Sequence, residues 1–319
     1  MACTTLILDG GLSTELEKMG FHIQGDPLWS SRILHTNPNA IKDVHYSFLQ
    51  CGSDIITTAT YQASIEGFTK HLGLKPEEAE DLMMSGVRLA KESTAEFISS
   101  GLKADRKVPV VAGSVGPFGA FLLDGSEYTG VYANSMSVEE LKNWHRPQIR
   151  CLVAAGVDIL ALETIPSLKE AEALVELLKE FPEAKAWLSF SCKDTLSISD
   201  GNKFATAIQV ANKSAQVVAV GVNCTAPALV KPLLESAKSH KAEGTSWVVY
   251  PNSGEDWNPI TGWITEKRIP FTELSVEWKE QGASWIGKSN IFNFYILCKN
   301  RETIVPDYGV KPMFFLLLF

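Results

Sequence analysis

Several protein classes are excluded by what this sequence lacks. Its six cysteines, Cys3, Cys51, Cys151, Cys192, Cys224 and Cys298, are scattered over 319 residues without a C-x-x-C pair. That is not a disulfide framework, and it points to a reducing, cytoplasmic setting. There is no run of five like charges and no basic stripe, and the net charge is −8, so nucleic acid is not an expected partner. The amino terminus, Met1–Asp9, has no basic region ahead of its interrupted apolar run, which excludes a signal peptide. No apolar stretch approaches the ~20 residues of a membrane span, so no membrane association is expected. No G-x-G-x-x-G follows the first apolar run, which weakens a dinucleotide-binding fold. No internal repeat or low-complexity linker marks a second folded domain.

What is present is a 45% hydrophobic chain with 21% charged residues, enough to bury a substantial core. Short apolar runs alternate with helical patterns. The runs are Thr4–Leu8, Asp54–Tyr61, Val108–Gly113, Val157–Leu162, Ala186–Cys192, Gln216–Cys224, Ser246–Tyr250 and Gly282–Gly287. Between them, Glu77–Ser99 reads as a long helix, and Ser137 with Glu140 forms a capping box before a helix that stops at Gly156. A second capping box is expected at Ser167 and Glu170, Pro227 opens another helix, and Phe271–Gln281 is the last. Eight strands with helices between them make a (β/α)8 TIM barrel the leading fold, in the α/β class, with an open doubly wound sheet as the alternative. The strands are expected to end near Asp9, Thr57, Gly113, Glu163, Ser191, Cys224, Tyr250 and Gly287.

In such folds ligands bind at the carboxyl ends of the strands. The run Gln216–Val220 continues into Gly221-Val222-Asn223-Cys224 and brings a thiol to such an end, where it could hold a metal or meet a sulfur substrate. Asp9-Gly10-Gly11 follows the first strand, and paired glycines let backbone N–H groups approach a ligand. Glu163 ends the fourth strand as a lone carboxylate. Thr57 and Thr58 lie at the end of the second, where threonine usually reflects strand propensity. The Gly- and Tyr-rich stretch Phe118–Asn134 is long enough to cover a site.

Five stretches occur in order, each at a strand's carboxyl end: Asp9-Gly10-Gly11 with Thr14-Glu15-Leu16, Gly113-Ser114-Val115-Gly116-Pro117, Glu163-Thr164-Ile165-Pro166, Gly221-Val222-Asn223-Cys224 and Tyr250-Pro251-Asn252-Ser253-Gly254-Glu255. Together they resemble the homocysteine S-methyltransferase family over residues 4 to 287, closest to members that use S-methylmethionine. The resemblance implies a zinc-dependent transfer of a methyl group from a sulfonium donor, S-methylmethionine or S-adenosylmethionine, to the sulfur of homocysteine, giving methionine. A free thiol with a pKa of about 8.5 is mostly protonated at neutral pH, and Zn²⁺ would hold it as the thiolate. Carried over by the resemblance, Cys224 is a zinc ligand and Glu163 holds the homocysteine amino group. Asp9, Gly10 and Gly11 contact homocysteine, and Asn223 orients substrate or supports the site.

The family's other two zinc ligands are adjacent cysteines in a Gly-Gly-Cys-Cys-Arg run. Here Gly287 is followed by Lys288, Ser289 and Asn290, and neither serine nor asparagine is a normal zinc ligand. Residues 1–287 therefore read as a homocysteine-binding barrel and 288–319 as a divergent tail, the product of a different exon, with an aberrant eighth strand–helix unit. Cys298 is the only cysteine in the tail that could substitute. The competing readings are a barrel impaired in catalysis for want of two zinc ligands, and a scaffold with an aggregation-prone apolar end, Phe314–Phe319. Nothing in the sequence sets the oligomeric state.

Overall fold

The computed structural model describes residues 5–102, 106–252, 256–258, 262–264 and 271–288. The barrel strands in chain order are β1 (Leu6–Ile7), β2 (Ile55–Thr57), β3 (Val110–Val115), β4 (Ile159–Ile165), β5 (Ala186–Phe190), β6 (Val217–Asn223) and β7 (Ser246–Tyr250). A two-stranded antiparallel ribbon follows, β8 (Asp256–Asn258) and β9 (Gly262–Ile264), and then the eighth barrel strand, β10 (Ala283–Ile286).

The eight barrel strands are all parallel, in the order β1-β10-β7-β6-β5-β4-β3-β2. Leu8 bridges Ile55 and closes the ring between β1 and β2. Asp54 strengthens that seam, because its carboxylate accepts from the Ile7 N–H at 2.9 Å while its own N–H donates to the Ile7 carbonyl at 2.7 Å. The TIM barrel read from the sequence is the observed fold. β10 pairs Trp285 with Leu6 and Val248, and Ile286 with Ile7 and Val249, with a register shift against β7 between Ala283 and Trp285; the helix expected after it lies outside the described residues. Lys288 lies at the barrel mouth, whereas Ser289, Asn290, Cys298 and the apolar end lie outside the described residues. The ribbon β8–β9 was not anticipated, because three-residue strands carry too little periodicity to read.

Strand parity sorts the side chains, since successive residues point to opposite faces. Leu8, Ile55, Ala112, Ile159, Ala161, Trp187, Ala219, Val248 and Tyr250 form the cluster inside the barrel. Their strand neighbours Val111, Leu160, Leu162, Leu188, Val220, Val222 and Val249 belong to the larger core under the helices. Three alanines make room for Trp187, whose ring meets Trp285 edge-on at 5.8 Å and Tyr250 at 6.2 Å. Gly221 serves the same packing: a Cβ there would stand 1.9 Å from the Val248 carbonyl oxygen. The same parity, carried two residues toward the carboxyl ends, brings Thr57, Ser114, Glu163 and Ser189 to the inner face, and carried four along β6 it brings Asn223, so the barrel turns polar at its top.

The helices match the sequence signals with one exception. The helix Pro76–Ser99 buries Ala79, Met83, Val87 and Ala90, and Ser137 and Glu140 cap the helix Val138–Ala154 reciprocally. At the helix Leu168–Leu177, Ser167 accepts from the Glu170 N–H as expected, but the Glu170 side chain does not reach back. It turns instead to buried donors of other segments.

Candidate active site

The carboxyl ends of the strands surround a cavity of about 120 Å³, against the ~10–15 Å³ that one water needs. Among its lining residues are Asp9, Gly10, Gly11, Trp29, Tyr61, Tyr128, Glu163, Cys224 and Lys288. Five of the six residues singled out from the sequence therefore meet in one place. The sixth, Asn223, is fully buried behind the wall. Its Oδ1 accepts from the Thr164 N–H at 2.8 Å, and its Nδ2 donates to Thr164 Oγ1 at 2.7 Å and toward Cys224 Sγ at 3.3 Å. Asn223 thus fixes Thr164 and Cys224 rather than facing the cavity.

Glu163 ends the inward row of β4. Ser114 Oγ donates to its Oε1, and the Tyr250 hydroxyl is a second donor. Trp187 Nε1 donates to the Tyr250 oxygen at 2.8 Å, and Ser189 Oγ lies 2.6 Å from it; these contacts aim the Tyr250 proton at Glu163. Burial pushes the phenol of Tyr250 well above its ordinary value, so it stays a donor. Burial also raises the Glu163 carboxyl from 4.5 to about 7, against the lowering by its two donors. Asp9 sits across the cavity. Its carboxylate accepts from the Thr57 N–H at 2.7 Å and from Thr57 Oγ1, yet burial and the neighbouring Glu163 charge lift it from 3.8 to about 7. Two carboxyl groups held close to neutrality in one cavity are disposed to receive a cation, whose charge would offset their desolvation.

Cys224 takes φ +46 and Thr164 φ +61, a region that costs a non-glycine residue about 1–3 kcal/mol. The register of β4 against β5 slips between Leu162 and Ile165, after which Ile165 pairs with Phe190, so Thr164 lies in a bulge that turns it toward the thiol. Thr164 Oγ1 donates toward Cys224 Sγ at 3.6 Å. Trp29, at φ +47, is a third strained residue on the same cavity.

Sequence reasoning missed Trp29, Tyr61, Tyr128 and Thr164. Trp29 and Tyr128 come from single helical turns in the connections and Tyr61 from the turn after β2, and Trp29 meets Tyr61 edge-on at 6.3 Å. The only available signal was the Tyr-rich stretch Phe118–Asn134, which carries Tyr128 into the wall. Thr57 proved to be the partner of Asp9. Thr58 also lines the cavity, and its hydroxyl lies 2.6 Å from that of Thr60 and accepts from the Ser114 N–H at 3.0 Å.

A catalytic zinc keeps three protein ligands. The donor set at this cavity does not meet that requirement: Cys224 offers one thiolate, and among the described residues no group of three His, Cys, Asp or Glu side chains could hold a metal ion. None of Cys51, Cys151, Cys192 and Cys224 is in a disulfide. No helix among the described residues is long and apolar enough to cross a membrane.

The family model for homocysteine S-methyltransferase matches residues 6–288. The chain is 42% identical over 293 residues to a betaine-homocysteine S-methyltransferase of Drosophila melanogaster, covering 88% of each. It is 43% identical over 285 residues to the homocysteine S-methyltransferase YbgG of Bacillus subtilis, covering 88% of this chain and 89% of that one. Among solved structures, the homocysteine methyltransferase MmuM of Escherichia coli in its metallated form superposes with a TM-score of 0.83 at 35% identity, over 93% of this chain and 95% of that chain.

Proposed function

The chain belongs to the homocysteine S-methyltransferase family, and we propose that its cavity sets homocysteine against Glu163 and faces a sulfonium methyl donor with the rings of Trp29, Tyr61 and Tyr128. The observation that carries this reading is Glu163: a buried carboxylate, held by Ser114 and Tyr250, in the cavity that also presents Cys224. An ammonium group supplies the charge that such a carboxylate lacks. The backbone of Gly10 and Gly11 and the carboxylate of Asp9 would complete the homocysteine half of the cavity.

The donor half is argued from the rings. Cations such as sulfonium and quaternary ammonium groups are attracted to aromatic faces; four aromatic residues line the cavity with the thiol, and three of them, Trp29, Tyr61 and Tyr128, are not engaged with Glu163. In the transfer, the homocysteine sulfur forms a bond to the methyl carbon as the donor C–S bond breaks. The donor leaves as a neutral thioether, and the thiol proton is lost. S-methylmethionine and S-adenosylmethionine both fit this description. A metal bound at Cys224 would hold the acceptor sulfur as its thiolate, but Cys224 is one ligand where a catalytic zinc needs three. We propose that the chain, which by sequence has Ser289 and Asn290 in place of a cysteine pair, holds zinc weakly.

The test pairs calorimetry with product analysis. Homocysteine should bind the parent chain and bind Glu163→Ala at least about tenfold more weakly, the equivalent of 1.4 kcal/mol. Methionine should form from homocysteine with S-methylmethionine or S-adenosylmethionine. Equal homocysteine affinity in Glu163→Ala, or turnover with betaine alone, would refute the respective half of the reading.

A further inference from the structure

Tyr128 reaches the cavity from Phe118–Asn134, and the way that segment is held points to one residue. It is folded into three short helical pieces, Phe118–Leu122, Ser126–Tyr128 and Val131–Asn134. Outward it exposes Leu122, Leu123 and Val131. Inward, Tyr132 and Ala133 pack with Leu141, Ala173 and Phe118 in a small apolar cluster separate from the main core. Packing therefore ties the segment to its neighbours only locally. Its two ends are joined to the barrel at the first turn of the helix Leu168–Leu177, which directly follows the strand bearing Glu163 and Thr164.

Glu170 in that turn is completely buried. Its Oε1 accepts from the Phe118 N–H at 2.8 Å and lies 2.8 Å from His145 Nε2, while its Oε2 accepts from the Tyr132 hydroxyl. A carboxylate is acceptor-only, so His145 must present Nε2–H to it. Burial and the adjacent carboxylate push the Tyr132 phenol far above its ordinary value, which keeps it a donor. One carboxylate thus gathers both ends of the segment, Phe118 and Tyr132, onto the helix Val138–Ala154 that carries His145. Other ties add to it: Lys169 Nζ donates to the Ala133 and Met136 carbonyls, Gln62 Nε2 to the Ala120 carbonyl at 2.8 Å, and Ser191 Oγ to the Glu127 carbonyl at 3.0 Å, but none of them gathers both ends of the segment on one group.

We infer that Glu170 is a positioning residue for methyl transfer: through Phe118 and Tyr132 it sets the segment that carries Tyr128 into the donor wall. The inference rests on the donor reading above and extends it to a residue that touches neither substrate. It explains why Glu170 abandons the capping box its spacing offers. Three buried donors would be left unpaired if the side chain turned back to Ser167.

The experiment compares the full-length chain with Glu170→Ala, Glu170→Gln and Tyr132→Phe. It uses calorimetry with S-methylmethionine alone, calorimetry with homocysteine alone, and hydrogen exchange of the amides of 118–134. In Glu170→Ala the segment should lose protection and S-methylmethionine affinity should fall about tenfold or more, with homocysteine affinity held within about twofold. Glu170→Gln, which keeps an acceptor for Phe118 and His145, should recover part of both losses. A purely structural role would lower both affinities together and leave no recovery in Glu170→Gln; that result overturns the inference, as does unchanged protection or unchanged S-methylmethionine affinity. Should Glu170→Ala fail to fold, Tyr132→Phe decides the matter, since it removes one hydrogen bond and keeps the ring. It should loosen the segment and weaken S-methylmethionine alone, and parent-like behaviour refutes the proposal. Failure of the donor reading is distinct, because the parent chain itself would then not bind S-methylmethionine.

Discussion

Replacing Glu163 with glutamine should make the ligand-free protein more stable above neutral pH and less able to hold homocysteine. Burial raises the Glu163 carboxyl from 4.5 to about 7. A carboxyl raised on folding adds its stability below the unfolded value and loses it as pH rises through the folded one, so this group favours the fold at pH 4 and opposes it at pH 8. The rise corresponds to roughly 3 kcal/mol at 1.36 kcal/mol per pH unit. Glutamine keeps an acceptor for Ser114 but perturbs the bond from Tyr250, which returns about 1 kcal/mol. The net gain of ~2 kcal/mol at pH 8 should raise Tm by about 3 °C for a chain of this size. At pH 4.5 the parent is already neutral at this position and the two proteins should melt together or in the reverse order. Thermal melts of both chains between pH 4.5 and 8.5 are the assay. A glutamine variant that is destabilised equally at every pH would show that the carboxylate is not held against its own desolvation. The same titration bears on binding: homocysteine affinity of the parent should weaken as pH falls below 7, because an ammonium group binds the ionised carboxylate.

Gly221→Ala drives a methyl group to 1.9 Å from the Val248 carbonyl and should destabilise the barrel by roughly 3 kcal/mol or more, which a urea titration would register; a parent-like midpoint contradicts the packing given for β6. Asn223→Ala leaves the buried Thr164 N–H without its acceptor and should cost about 1–3 kcal/mol. It should also quicken modification of Cys224 by a thiol reagent, and parent-like reactivity would argue that Asn223 does not fix the sulfur. Changing Lys288→Gly, Ser289→Cys and Asn290→Cys together should bring zinc from well under stoichiometric to about one ion per chain. Full zinc occupancy in the parent would sink the weak-zinc reading, and its disappearance in Cys298→Ala would identify the substitute ligand.

The barrel was legible because its signal is distributed. Eight apolar runs alternate with helical patterns, and no single error moves the fold. Which face of each strand points inward was not legible, because runs buried on both faces are apolar throughout; the structure sets Glu163 in the inward row of Ile159 and Ala161, and Asn223 in that of Ala219. Caps were legible where only local partners compete, as at Ser137 and Glu140. The Glu170 side chain was not legible for the converse reason. Its spacing from Ser167 satisfies the capping rule, but donors 25, 38 and 52 residues away in sequence lie closer to the energy minimum than the backbone three residues back.

The cavity divides along the same line. Residues at strand ends, Asp9, Gly10, Gly11, Glu163 and Cys224, were found from the sequence because strand termini converge in any barrel. The loop rings were not, because a loop's path is set by long-range contacts rather than by periodicity. Strain marks what was missed. Of the four described non-glycine residues at positive φ, Trp29, Thr164 and Cys224 line this one cavity, and only Leu123 stands apart. Left-handed backbone at a β-branched threonine and a tryptophan persists only where the surroundings over-determine it. Here the surroundings are the Asn223 amide, which holds Thr164 at both its N–H and its hydroxyl, and the bulge in β4. A sequence shows the residues that can bear such a conformation cheaply, the glycines, but not the ones forced into it. The strained residues are the thiol-bearing Cys224, its hydrogen-bonded neighbour Thr164 and Trp29 of the aromatic wall, so backbone strain is concentrated at the cavity and not in the barrel's apolar lower half.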